Sequence, residues 1–170
     1  MATRKGLTGW AIPLWIASAG ILCPAQTMPP TAADTLNGHR LVLAEAVRGH
    51  ASLLIASFSK EAGLLAGQWG KAARADSALA AVTVYQAAML ESAPGLIRGM
   101  VTSSLRKQTT ADAQDTFVVF TQDETLWRTY LGVTTDKDPY VVLIDAAGQI
   151  RWHGHGGAAN LEPLLKDALK

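Results

Sequence analysis

The run Ala51-Ser52-Leu53-Leu54-Ile55-Ala56-Ser57-Phe58 is apolar, almost unbroken, and bounded by the turn residues Arg48-Gly49-His50. A segment of that length between turn signals reads as a buried central strand. Such a strand needs cover on its faces, and Glu61 to Arg74 carries Leu64, Leu65, Gln68 and Trp69 at three- and four-residue spacing, the period of an amphipathic helix. From Thr31 onward the chain alternates in this way. Asn37-Gly38 is a turn signal, and His39 to Leu43 reads as a short strand. Leu79 to Tyr85 reads as the second buried strand. Ala93 to Lys107 reads as a helix with Leu96, Ile97, Met100, Val101 and Leu105 on one face, and Pro94 suits its first turn. Thr116 to Phe120 is a strand, and Asp123 to Leu131 a helix ended by Gly132 with Leu126, Trp127, Tyr130 and Leu131 on its apolar side. Val141 to Asp145, the turn Ala146-Ala147-Gly148 and Gln149 to Trp152 form a hairpin. Asn160 is placed to cap a last helix, Leu161 to Leu169, with Pro163 in its first turn. No repeat, low-complexity tract or linker divides this single domain.

The first 25 residues differ in kind. Arg4 and Lys5 precede an uncharged stretch, Leu7 to Leu22, broken by Gly9, Pro13 and Gly20. That is the pattern of a secretory signal, shorter and more interrupted than a membrane span of about 20 residues. Small-x-small cleavage sites occur at Ala17-Ser18-Ala19 and Cys23-Pro24-Ala25, and the second leaves a chain that starts near Gln26. An uncleaved signal anchor is the alternative; a lipid anchor on Cys23 is disfavoured by the bulky Leu22 before it. The expected division is residues 1–25 as signal peptide or anchor, 26–37 as a flexible lead-in and 38–170 as the folded domain. Without the leader, 13 basic residues stand against 14 acidic ones. So bland a balance argues against nucleic acid as a partner, because phosphate binding needs a concentrated excess of Lys and Arg. Cys23 is the only cysteine. One sulfur forms no CxxC pair, zinc knuckle or internal disulfide.

A parallel βαβ start, an inserted helix and strand, an antiparallel hairpin and a closing helix is similar to the chain order of the thioredoxin fold. That fold is α/β and three-layered, a central mixed sheet with a C-terminal hairpin and helix, here preceded by the signal segment. The resemblance implies a cis bond at Pro139, which stands just before the hairpin in Lys137-Asp138-Pro139-Tyr140; a proline that merely starts the strand is the alternative. The chemistry that usually accompanies the fold is missing. Redoxins hold a low-pKa thiolate at the start of the helix after the first central strand. That place here is Ser59-Lys60-Glu61-Ala62-Gly63-Leu64-Leu65-Ala66, and the spacing from Phe58 sets the two cysteine positions near Gly63 and Ala66. Neither side chain attacks a disulfide or a peroxide. Ser57 and Ser59 are the nearby hydroxyls, and a serine needs a positioned base and oxyanion donors to act.

The most specific stretch runs from Asp145 to Ala158, where Asp-x-x-Gly-x-Ile continues as Arg151-Trp152-His153-Gly154-His155-Gly156-Gly157-Ala158. The Arg-Trp-x-x-x-Gly-x-Ala continuation resembles the ATP-ten family, thioredoxin-like mitochondrial ATP synthase assembly factors with bacterial relatives. The likeness extends weakly through Leu126 to Gly132, Gly95 to Lys107 and Gln68-Trp69. Members of that family often carry a cysteine near the end of the Arg-Trp loop, where this chain has His155, and the leader is bacterial in pattern rather than a transit peptide. Arg151 and Trp152, adjacent on a strand, point to opposite faces of the sheet. Either Trp152 packs inward while Arg151 pairs with a local carboxylate such as Asp145, or one of them is an anchor for a protein contact. His153 and His155 form an H-x-H pair that is a weak copper or zinc candidate for want of a third ligand. Gly154, Gly156 and Gly157 could alternatively form an anion nest. The expectation is an exported, non-enzymatic domain without cofactor or metal. It binds an envelope or membrane protein client as an assembly or chaperone-type factor, and is periplasmic or secreted, or held at the inner membrane by its leader. The expected binding surface comprises Arg151, Trp152, His153, His155, Pro139, Ser59, Lys60 and Gly63. A redoxin-type peroxidase or thiol reductase is the first alternative and a periplasmic metal-binding protein the second.

Overall fold

The computed structural model describes residues 27–158. The leader and the Asn160-capped last helix lie outside them. Seven strands form one mixed sheet in the order β2-β1-β5-β4-β3-β6-β7. The central three, β3 (Ser52–Ser57), β4 (Thr83–Met89) and β5 (Phe117–Phe120), are parallel neighbours. β6 (Tyr140–Ile144) runs antiparallel to β3 and forms the hairpin with β7 (Ile150–His155). β1 (Ala32–Thr35) and β2 (Arg40–Val42) add an antiparallel pair at the far edge, β1 against β5.

Every residue of β3 is buried, as the apolar run requires, because both faces of the sheet are covered. On one face Leu53, Ile55, Val84, Val141 and Leu143 pack beneath α2 (Lys60–Ala75) through Ala66, Trp69 and Ala73. On the other, Leu54, Tyr85, Val118, Phe120, Tyr140 and Val142 pack under α4 (Glu124–Leu131) and the short α1 (Leu43–Ala46). The three-layer α/β architecture is therefore present.

Several local expectations need correction. Within the expected lead-in, the described residues 27–37 are structured: they supply β1 and the buried Met28, and the Thr31 hydroxyl donates to the Asp123 carboxylate at 2.8 Å. The second central strand runs from Thr83, four residues later than expected, because Leu79 is buried in a 3-10 turn, Ser77–Leu79. The buried face of α2 is made by small residues and one large one, Ala62, Ala66, Trp69, Gly70 and Ala73, whereas Leu64 is exposed. α3 (Gly95–Gln108) has no buried residue; Leu96 and Met100 are 87% and 70% exposed. It is held to the sheet through Leu105, packed on Leu36, Ala88, Phe117 and Val119, and through Arg106, which donates to the Leu36 carbonyl. In α4, Trp127, Tyr130 and Leu131 face the core while Leu126 is exposed, and Gly132, at φ 63°, ends the helix.

Candidate functional site

The parallel strand β3 delivers Phe58 and Ser59 to the start of α2. Ser59 is the N-cap, and its Oγ accepts from the Ala62 amide at 3.1 Å. A group gains from a helix N-terminus only within its first turn, which here comprises Ser59 to Ala62. Gly63 lies a turn inside the helix, and Ala66 is buried against the sheet. The Ser59 hydroxyl donates to the Asp136 carbonyl, and that of Ser57 to the Ala87 carbonyl at 3.3 Å. Both protons are engaged by backbone oxygens, which leaves neither serine aimed at a base.

The loop from Thr134 to Pro139 closes over this helix start. Tyr140 organises it: its phenol oxygen accepts from the Thr134 and Thr135 amides at 2.7 and 2.9 Å and donates to the Thr135 carbonyl. Pro139 is buried and its peptide bond is trans, since the described chain holds no cis bond. The expected cis-proline is thus absent, and the alternative, a proline that leads into a strand, is what the structure contains. Its carbonyl accepts from the Gly156 amide at 3.1 Å.

The side chains around the loop form a continuous series that no sequence motif announced. Arg128 lies over the Phe58 ring, 4.7 Å from its centroid. The same guanidinium pairs with Glu124 at 2.9 Å, one turn back on α4, and with Asp136 at 2.6 Å on the loop. The hydrogen bond to Asp136 raises the pKa of Arg128 above the ordinary guanidinium value, and the same bond lowers that of Asp136 below the ordinary carboxylate value. Phe58 meets Tyr140 edge-on with centroids 6.1 Å apart. Tyr140 stacks on His155 at 5.4 Å, and His155 Nδ1 lies 2.9 Å from Asp138. The one element of this series visible in the sequence is the Glu124–Arg128 spacing; the rest joins residues far apart in the chain.

β7 presents its residues alternately. Trp152 is half-buried against the α2-side core, opposite Leu143, while Arg151, His153 and His155 are exposed. Arg151 does not pair with Asp145, whose Oδ1 instead accepts from the Ala147 and Gln149 amides of the hairpin turn. Arg151 and His153 have no hydrogen-bond or ion-pair partner among the described residues. Lys60 is exposed beside the Ser59 cap. The expected surface thus divides: Ser59, Pro139 and His155 belong to one cluster with the closing loop, Lys60 and Gly63 lie on the adjoining first turn, and Arg151, Trp152 and His153 continue along β7. Gly156 is not part of an anion nest, because its amide is engaged by Pro139 and its carbonyl accepts from Trp69 Nε1 at 2.8 Å. Among the described residues no three His, Cys, Asp or Glu side chains converge as a metal-ligand set, and no helix is long and apolar enough to cross a membrane.

The chain matches the family described as ATP10 protein over residues 23–167. No curated protein matches it by sequence. Among solved structures it is similar to the thioredoxin domain of a thiol-disulfide oxidoreductase from Bacteroides vulgatus, at 13% identity and TM-score 0.58, covering 85% of this chain and 96% of that one. It is also similar to a thiol:disulfide interchange protein DsbE from Chlorobium tepidum, at 18% identity and TM-score 0.57, covering 84% and 94%. A third likeness is to BsSco, a member of the Sco family of cytochrome c oxidase assembly proteins, at 10% identity and TM-score 0.54, covering 83% and 92%. At these identities the likeness establishes the fold, which is thioredoxin-like.

Proposed function

Because this chain belongs to the ATP10 protein family, we propose that it is a thioredoxin-like assembly factor that works by binding a polypeptide rather than by thiol chemistry. The observation that carries the reading is Ser59: it occupies the helix-capping position where a redox thiolate would sit, and its proton is committed to the loop carbonyl of Asp136. Thiol–disulfide exchange requires an attacking thiolate, and the only sulfhydryl in the sequence, Cys23, lies outside the described residues and far in the chain from the start of α2. A polypeptide client needs no such group, since main-chain hydrogen bonds and anchoring side chains suffice. Arg151, exposed and unpaired among the described residues, and its neighbour Trp152 are the anchors the family motif adds. The leader supports export, and the client is an envelope or membrane protein.

The test is a capture experiment from detergent-solubilised envelope with the full chain as bait, beside Arg151→Ala/Trp152→Ala bait. The expected result is one or more membrane proteins retained by the first and lost from the second. Identical retained proteins would refute the surface. Catalytic turnover of a disulfide or hydroperoxide by the same full chain would refute the non-enzymatic role.

A further inference from the structure

β7 is the last strand of the sheet, and no described strand pairs with its outer edge. Such an edge offers unpaired N–H and C=O groups to any extended chain. Proteins commonly block it with lysine, proline or a bulge. Here the register irregularity is confined to the turn end, beside Ile144, and pairing from Trp152 to His155 is regular. The strand, Ile-Arg-Trp-His-Gly-His, contains neither lysine nor proline. The opposite edge differs: β2 has three residues, and its Arg40 is paired with Asp34.

The charge pattern on β7 is as one-sided as its hydrogen-bonding edge. Arg151, His153 and His155 are exposed in alternation, one guanidinium and two imidazoles two residues apart on one face. Among the described residues the one carboxylate paired with the row is Asp138, engaged by His155 at the end nearest the closing loop. A strand added beside β7 would set its own alternate side chains about 5 Å from this row. The complement of a guanidinium and an imidazole at that spacing, both able to donate N–H groups, is a pair of carboxylate acceptors two residues apart.

We propose that the outer edge of β7, unpaired among the described residues, is a docking strand for an extended acidic segment of the client, held by main-chain pairing along residues 151–155 and by Asp or Glu side chains facing Arg151 and His153. The inference rests on the polypeptide-binding reading above and specifies the partner's chemistry. It places the bound segment alongside Trp152 and directs one end of it toward His155 and the loop over Ser59.

The probe is a short capped peptide alternating Glu and Val, titrated against the full chain with amide hydrogen exchange as readout. Its Lys-for-Glu counterpart and a version N-methylated at alternate residues are the comparisons. The expected result is binding of the Glu peptide with slowed exchange confined to alternate amides of residues 151–155, and no binding of the other two. Arg151→Glu, an exposed substitution, should weaken the Glu peptide about tenfold and admit the Lys peptide. No binding of the Glu peptide, binding insensitive to N-methylation, or protection elsewhere would each overturn the proposal. If the peptide fails while the capture experiment still depends on Arg151 and Trp152, only the edge docking falls. If the peptide binds while the two baits retain identical proteins, the edge docking stands and the assembly reading falls.

Discussion

Replacing a glycine inside a helix by alanine ordinarily stabilises a protein by about 0.8–1.0 kcal/mol, because the unfolded chain loses freedom and the helix gains a better former. Gly70 of α2 should do the opposite. A Cβ built there stands 2.5 Å from Oε1, 2.6 Å from Cδ and 2.7 Å from Nε2 of Gln86. An amide at the end of a side chain often swings aside, but this one is buried and held at both ends. Its Nε2 donates to the Ala66 carbonyl at 3.1 Å, and its Oε1 accepts from Arg74 at 2.8 Å. Displacing it costs about 1–3 kcal/mol of overpacking and about 1 kcal/mol for each buried hydrogen bond lost. Against the propensity gain, Gly70→Ala is expected to destabilise by about 1–3 kcal/mol. Gly67, three residues earlier on the same helix, has open space where its Cβ would go, so Gly67→Ala should gain about 0.5–1 kcal/mol. Urea unfolding followed by circular dichroism measures both, provided the m-values agree. In a Gln86→Ala background the obstacle is gone, and Gly70→Ala should revert to a gain of about 1 kcal/mol, a coupling of about 2–4 kcal/mol. Equal stability of the two glycine variants, or no coupling, would refute the packing of Gln86 beneath α2.

Other substitutions test particular groups. The Tyr130 hydroxyl is buried without a partner among the described residues, and burial pushes its pKa up to about 12. Tyr130→Phe should therefore leave stability at neutral pH unchanged or raise it by about 1 kcal/mol. Because the folded pKa is raised, wild-type stability is intact below pH about 10 and falls as pH rises toward 12, and the Phe variant should lack that fall in alkaline urea titrations. Trp69→Phe removes the donor to the Gly156 carbonyl and some core volume, at a cost of about 2 kcal/mol, and should speed amide exchange at residues 154–156; unchanged exchange would contradict the pin. Leu96→Gln with Met100→Gln, both on the exposed face of α3, should stay within about 0.5 kcal/mol of wild type by thermal unfolding.

What the sequence disclosed tracks how locally each feature is encoded. β3, β5, α4 and the hairpin were legible because an apolar run, a glycine C-cap and an Asp-x-x-Gly turn are short-range signals. β4 was misplaced because Gln86 interrupts its apolar character, and the reason a glutamine is tolerated there is tertiary: its amide is satisfied by Ala66 and Arg74. α2 misled through Leu64, since hydropathy favours large residues while close approach of helix and sheet favours Ala62, Ala66 and Ala73. The site was half legible. The loss of sulfur is a fact of composition, but the closing loop joins Phe58, Arg128, Asp136, Tyr140 and His155, whose separations in the chain carry no periodicity.

The serine at the helix cap and the closure of the loop have a common physical basis. A thiol is a weak hydrogen-bond donor, whereas the Ser59 hydroxyl both caps α2 and binds the Asp136 carbonyl. Once that carbonyl is held, Arg128 can neutralise the Asp136 side chain while its guanidinium covers Phe58, and Tyr140 fixes the loop's other half. These bonds close the loop over the start of α2, so the Ser59 hydroxyl and the Asp136 carboxylate are both engaged within the domain. β7, tied to the same cluster through His155 and to α2 through the Trp69–Gly156 bond, is the adjoining element whose outer backbone edge and Arg151 side chain are unpaired among the described residues. On the proposed reading, recognition has moved from the end of the central strands to the edge of the sheet beside them.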